Sequence, residues 1–153
     1  MTNGREKKVS LEIFNYFKEK IEKKEKDRLK RFLKEVLKVK GFSSSKYDIS
    51  IVLIDDEKMI ELNRKYRNIN STTDVLSFNL GKDPRGKIIG EIYISIPTVE
   101  KENIEKNKAL IDEIAFLSLH GLLHILGYDH ENMKDREEME KETQKLIKYW
   151  VHL

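Results

Sequence analysis

Ser118-Leu119-His120-Gly121-Leu122-Leu123-His124-Ile125-Leu126-Gly127-Tyr128-Asp129-His130 carries three of the chain's four histidines, at spacings of four and then six residues. Residues i and i+4 share one face of an α-helix, so His120 and His124 can aim two imidazoles at one point. Gly127 suits a helix C-terminus, because glycine tolerates the left-handed conformation that closes one. A turn there brings His130 back as a third ligand. Three neutral imidazoles with an open fourth position are the usual make-up of a catalytic zinc site. The segment upstream, Leu110, Ile111, Ile114, Ala115, Phe116, Leu117 and Leu119, is apolar on nearly all sides. The pattern predicts a helix over Asn107 to Leu126, buried in the middle of the domain and holding its histidines rigidly.

The spacing H-x3-H-x2-G-x2-H is also that of the metzincin metalloproteases, which place Glu directly after the first His as general base. Gly121 occupies that position and cannot take a proton. The metal geometry is kept and the peptidase base is missing. A metzincin-like peptidase is therefore the weaker enzymatic reading. A third reading makes the metal mainly structural, in a non-catalytic protein.

Outward from this helix, the chain reads as alternating strands and helices. Val9 to Phe17 predicts a first strand. Lys18 to Val39 predicts a helix, with Leu29, Phe32, Leu33, Val36 and Leu37 as its apolar stripe. Tyr47 to Ile54 is a second, central strand. Asp55 and Asp56 then cap a helix from about Glu57 to Tyr66. Arg67 to Thr73 reads as a polar loop, a place where function often sits. Val75 to Leu80, a turn over residues 81–86, and Lys87 to Ile96 predict an antiparallel hairpin. Gly90 implies a bulge or a close backbone approach, and Pro97 is taken to mark its strand as an edge. A short helix from Pro97 to about Glu105 and a last helix from Glu131 to His152 complete the order. The class is α+β: a small four-stranded mixed sheet with an antiparallel edge strand, helices packed on it, and a central buried helix carrying the metal ligands. The early strand–helix–strand units predict parallel pairing.

One domain over residues 1–153 is the simplest organisation. With no cysteine, thiolate sites and disulfides are excluded, leaving His, Asp and Glu as strong ligands. No apolar run reaches the roughly 18 residues of a membrane span, and the N-terminus lacks a signal-peptide core. A cytoplasmic protein without membrane association is expected. Net charge is only +3, yet Lys and Arg crowd residues 18–40. That stripe either tracks a phosphate backbone or is a solvated helix face laced with Glu19, Glu22, Glu25, Asp27 and Glu35.

The motif His120-Gly121-Leu122-Leu123-His124-Ile125-Leu126-Gly127-Tyr128-Asp129-His130 resembles the HGxLHxxGYDH of the YbeY family of endoribonucleases, the rRNA maturation factors. Further resemblance lies in Leu62-Asn63, Tyr66-Arg67, Thr73-Asp74-Val75-Leu76-Ser77-Phe78, Gly90-Glu91-Ile92-Tyr93-Ile94 and Met139-Glu140. It spans roughly residues 48 to 150 and is weak over the first 45. Glu91 stands where the family usually has Asp, and Asn79-Leu80-Gly81 where it usually has proline and acidic residues. The resemblance implies a metal-dependent endoribonuclease specific for single strands, acting on rRNA of the small ribosomal subunit in 16S 3′-end maturation and ribosome quality control. It implies one zinc ion on His120, His124 and His130, and it places Arg67 in the active-site cleft. Under the third reading the chain is instead a non-catalytic ribosome-assembly factor that binds RNA and protein, with the metal structural.

An imidazole-held metal polarises a phosphoryl oxygen or acidifies water, and ligand type alone also admits Ni, Cu or Fe. RNA brings its own 2′-hydroxyl, so either that group or a water is the nucleophile. Arg67 suits a catalytic, substrate-binding role because a guanidinium is always charged and grips phosphate through two parallel hydrogen bonds. His120 is taken as catalytic through the metal. Asp74 and Ser77 are candidate substrate contacts or supports for the loop-to-strand turn. Asp129 either orients a ligand histidine or caps the last helix, with the cap preferred. Glu91, on the expected edge strand, is a minor candidate proton carrier.

Overall fold

The computed structural model describes residues 9–128 and 131–153. Its elements are β1 (Leu11–Asn15), α1 (Lys23–Val39), β2 (Tyr47–Ile54), α2 (Asp56–Arg67), β3 (Val75–Lys82), β4 (Ile88–Ser95), α3 (Ile96–Asn103), α4 (Leu110–Ile125) and α5 (Met133–Val151). The strands form one mixed sheet in the order β1-β2-β4-β3. The α+β class and the central place of β2 stand as expected, with β1, β2 and β4 parallel and β3 antiparallel to β4.

Two topological expectations are corrected. β4 is interior and β3 is the edge. Pro97 ends β4 because it occupies the first turn of α3, where its missing N–H needs no partner, and not because the strand is exposed. The second strand–helix–strand unit is not a parallel crossover. β4 inserts between β2 and β3, so β3 runs opposite to β2.

Alternation along the strands divides the apolar side chains between two faces. Ile49, Ile51, Leu53, Ile92 and Ile94 join the main core with residues of α1, α4 and α5. Ile54, Leu76, Phe78 and Tyr93 form a smaller cluster with Met59 and Leu62 of α2. Glu91 has the same parity as Tyr93 and so faces away from α4, and after burial its charge is the next influence that raises the Tyr93 pKa. It is removed from the histidine face and cannot serve there as a proton carrier.

Helix ends follow local chemistry. α1 starts five residues later than the apolar stripe predicts. Asn15 closes a turn by accepting from Phe17 N (2.8 Å) and donating to Ile21 O (3.1 Å), and Glu25 accepts from Glu22 N (2.9 Å) at the true start. Asp55, as predicted, caps α2 through Lys58 N at 2.8 Å. That helix runs on through Arg67 and is closed by Asn68 in the left-handed region. The last helix is capped by Asn132, which accepts from Asp135 N at 2.9 Å. The cap expected of Asp129 is thus supplied elsewhere, and Asp129 itself lies outside the described residues.

The close approach expected at Gly90 is made to α4. A Cβ on Gly90 would lie 2.8 Å from Ile125 Cδ1, and one on Gly121 would lie 3.0 Å from Ile92 Cγ2. Two glycines, one on the strand and one on the helix, let α4 sit directly on β4. Position 121 therefore lacks a side chain for a packing reason as well as a chemical one. Gly121→Glu, which writes in the protease residue, drives a carboxylate against buried Ile92. It is expected to cost about 3 kcal/mol or more and to lower the Tm by about 6–12 °C. A thermal melt at the wild-type value would show that α4 has more room than this packing allows.

Candidate active site

Gly127 takes φ +106. Its N–H donates to His124 O and the Tyr128 N–H to Leu123 O, both at 3.0 Å. This pair of bonds is the glycine-closed helix end expected from the sequence. It turns the chain immediately after the second histidine. Lys40 holds the turn from outside, donating to Tyr128 Oη at 2.6 Å and to Glu142 Oε1 at 2.9 Å. Burial opposes the lysine's charge, but these two hydrogen bonds outweigh it and raise its pKa above the ordinary value. Tyr128 is thereby tied to the end of α1 and to α5.

His120 and His124 are half-buried on one face of α4. Their ring centroids lie 5.3 Å apart, with the planes at 66°. Two imidazoles one turn apart and inclined in this way fit adjacent positions on a single ion, and their donor chemistry suits zinc. The third expected ligand, His130, lies outside the described residues.

Both histidines line a cleft of about 440 Å³ together with Arg67, Val75, Leu76, Ser77, Asn79, Gly121 and Ile125. Arg67, expected in a loop, is the last residue of α2. It reaches the cleft over the edge strand, with its guanidinium carbon 5.5 Å from the centre of the Phe78 ring. Its Nη2 donates to Ser77 O at 3.2 Å. Only an edge strand has an outward carbonyl to offer, so the position of β3 is what docks this arginine. Among the described residues that is the guanidinium's one hydrogen bond, and four of its five N–H donors remain for a ligand.

Of the two other polar candidates, Ser77 lines the cleft and Asp74 does not. Asp74 supports the loop-to-strand turn: its carbonyl accepts from Ser95 N at 2.9 Å. Its carboxylate, after burial, is one of the influences that raise the pKa of Glu102. No basic residue of α1 lines the cleft. Arg28 and Lys40 from the basic stripe are engaged within the chain instead, Arg28 with Trp150 O at 2.8 Å.

Two positioning features escape the sequence reading. Asn79 Nδ2 donates to Ile125 O at 3.0 Å, fastening the end of α4 to β3, while its Oδ1 accepts from Gly81 N at 2.8 Å. Gly81, at φ +88, belongs to an extra residue in the strand between Asn79 and Lys82, a bulge that prolongs β3 beyond its expected end. The available signal in the sequence is Gly81, which reads there as the first residue of the turn over residues 81–86. The second feature is Asp56, whose Oδ1 accepts from Ser95 Oγ at 2.6 Å, from Thr98 Oγ1, and from Thr72 Oγ1 at 3.1 Å. It joins α2, the loop after Arg67 and the start of α3.

The Ser95 hydroxyl first and then that of Thr98 hold the Asp56 carboxyl below its ordinary pKa against the opposing effect of burial, with a lesser contribution from Thr72. A depressed folded-state pKa stabilises the protein above the unfolded value of about 4, and that contribution is lost as pH falls through the folded value. The wild type is therefore expected to lose its advantage over Asp56→Asn in urea melts only below about pH 4. The difference should be modest, about 1 kcal/mol, since the group is largely solvated. A difference that grows with acidification would reverse the sign and refute the assignment.

Residues 13–151 match the profile of the family described as Endoribonuclease YbeY, extending the motif resemblance upstream into β1. The Endoribonuclease YbeY of Nautilia profundicola is 48% identical over 101 residues, 66% of this chain and 70% of that protein. The one from Aquifex aeolicus is 34% identical over 123 residues, 80% and 81% of the two chains. Among solved structures, the solution structure of TM1509 from Thermotoga maritima superposes with a TM-score of 0.62 at 27% identity, covering 93% of this chain and 92% of that one. The family match takes in all or part of every strand and every cleft residue described above, and the chain belongs to the endoribonuclease YbeY family.

Proposed function

We propose that this protein cuts single-stranded RNA internally, using one zinc ion held by His120, His124 and His130. We further propose that it acts in the cytoplasm on rRNA of the small ribosomal subunit, in 16S 3′-end maturation and ribosome quality control. Family membership supports the endoribonuclease activity. The observation that supports metal-assisted cleavage of a phosphodiester is one cleft lined by two imidazoles and by a guanidinium with most of its donors uncommitted, while the rRNA substrate and the cytoplasmic setting rest on the family resemblance.

When bound, the metal supplies Lewis-acid chemistry. The remaining roles fall to side chains of this chain. Arg67 grips a non-bridging phosphate oxygen and stays charged as negative charge grows on the phosphorus-bound oxygens. Ser77 offers a hydroxyl on the same wall. Asn79 keeps the end of α4 in register with β3, so the spacing between the imidazoles and Arg67 holds. No carboxylate lines the cleft among the described residues, and Gly121 supplies none. That lining suits a phosphodiester better than a peptide, whose hydrolysis at a histidine-held metal uses a glutamate base. The test is cleavage of a single-stranded ribosomal RNA fragment by zinc-loaded protein beside an identically purified His124→Ala variant. Cleavage by the wild type alone supports the reading, and equal cleavage by both removes it. End-group analysis of the products reports the nucleophile.

A further inference from the structure

A second cleft of about 420 Å³ opens on the other side of His120, lined by Phe116, Met139, Glu140, Thr143, Gln144 and Arg136. His120 lines both clefts, so it stands on the ridge between them. The two differ in chemistry. The Arg67 cleft is walled by strand backbone and polar groups. The second is lined by an aromatic ring and a buried thioether, with the exposed carboxylate of Glu140, amide of Gln144 and guanidinium of Arg136 around them. Phe116 is 42% exposed on a helix that buries most of its other large apolar side chains. Its ring lies one turn before His120, 6.3 Å between centroids and inclined at 31°. No step of the proposed chemistry uses Phe116, Met139, Glu140 or Gln144.

We infer that this cleft is a nucleobase subsite, in which a base of the RNA strand next to the cut phosphate stacks on Phe116 while Glu140 and Gln144 meet its polar edge. The inference rests on the nuclease reading above. An exposed aromatic face beside a phosphate-binding centre is the usual platform for single-stranded nucleic acid, because every base has a face to stack. The cleft's volume is adequate for one nucleotide. The lining carries one guanidinium, Arg136, and one carboxylate, Glu140, so it has no excess positive charge for a second phosphate, while the carboxylate accepts hydrogen bonds from base amino and imino groups. A strand crossing the His120 ridge would then be held by its phosphate on the Arg67 side and by a base on the Phe116 side.

The test measures binding of a fluorescent, single-stranded 2′-O-methyl RNA by anisotropy, with its integrity checked on a gel afterwards. Steady-state cleavage of the unmodified strand runs alongside. Phe116→Ala is expected to weaken binding about tenfold or more and to raise KM with little change in kcat, while Phe116→Tyr stays within about twofold of wild type. Replacing single nucleotides by abasic ones should weaken wild-type binding at one position and leave Phe116→Ala indifferent there. Because Phe116 is partly exposed, its thermal melt should barely move, which separates stacking from folding. Unchanged affinity in Phe116→Ala, full affinity in Phe116→Leu, or equal abasic penalties in both proteins would overturn the subsite and leave the nuclease reading intact. A wild type that neither binds nor cuts RNA would overturn both.

Discussion

His124→Ala is expected to abolish RNA cleavage, lowering kcat/KM by roughly a thousandfold or more, and to leave a folded protein that binds zinc far more weakly. The imidazole sits in the last turn of α4, half-buried at 5.3 Å from the His120 ring, with no great share of the core resting on it. Truncation removes one donor from the ion's coordination sphere and leaves the helix end closed by Gly127 and Tyr128. Activity and metal content should fall together while the far-ultraviolet circular dichroism spectrum stays unchanged. Zinc affinity is read by competition with a chromogenic chelator, independently of any cleavage assay. Retained zinc stoichiometry in the variant would place the ion on other residues. Lost helicity without zinc would favour the structural-metal reading instead. Chelator treatment of the wild type should mimic the variant, and reloading with zinc should reverse the loss.

Arg67→Lys is expected to lose about a hundredfold in kcat, nearly as much as Arg67→Ala, with smaller effects on KM. An ammonium keeps the charge, so a purely electrostatic role would predict substantial rescue. The structure argues otherwise. The guanidinium spans two jobs at once, donating to Ser77 O at 3.2 Å and lying over the Phe78 ring, and these contacts fix the plane in which the other N–H groups point. Lysine reproduces neither the fork nor the stacking. Single-turnover kinetics with saturating enzyme would separate the step from substrate capture. A lysine variant within a few fold of wild type would reduce Arg67 to a source of positive potential. The arginine is exposed, so either replacement should change the Tm little.

Much of this molecule follows from local patterns. The apolar run from Leu110 to Leu126 forces a buried helix, because such a surface has nowhere else to go. Four-residue spacing puts His120 and His124 on one face regardless of what surrounds them, since helix geometry alone dictates it. Gly127 ends that helix as expected. Asp55 caps α2 for the same kind of reason, a short-range hydrogen bond available to any chain with that residue there. The stripe Leu29 to Leu37 made α1 legible, and its true start was misjudged only where Asn15 and Glu25 compete for backbone groups over a few residues.

What the local pattern could not supply is the order in which strands meet. Strand order depends on which pairing buries the most surface across the whole sheet, and no window of sequence contains that comparison. Placing β3 outside β4 gives Arg67 an open carbonyl edge to dock on, brings Ser77 and Asn79 onto the histidine face, and sends Glu91 to the opposite one. The tertiary structure also explains Gly121 and Gly90, whose missing side chains are set by Ile92 and Ile125, partners on another element far away in sequence. The ligand pair was thus determined by helical periodicity within one segment. The cleft that surrounds it was decided by long-range packing, because its walls come from α2, β3 and α4, and only the assembled sheet brings them together.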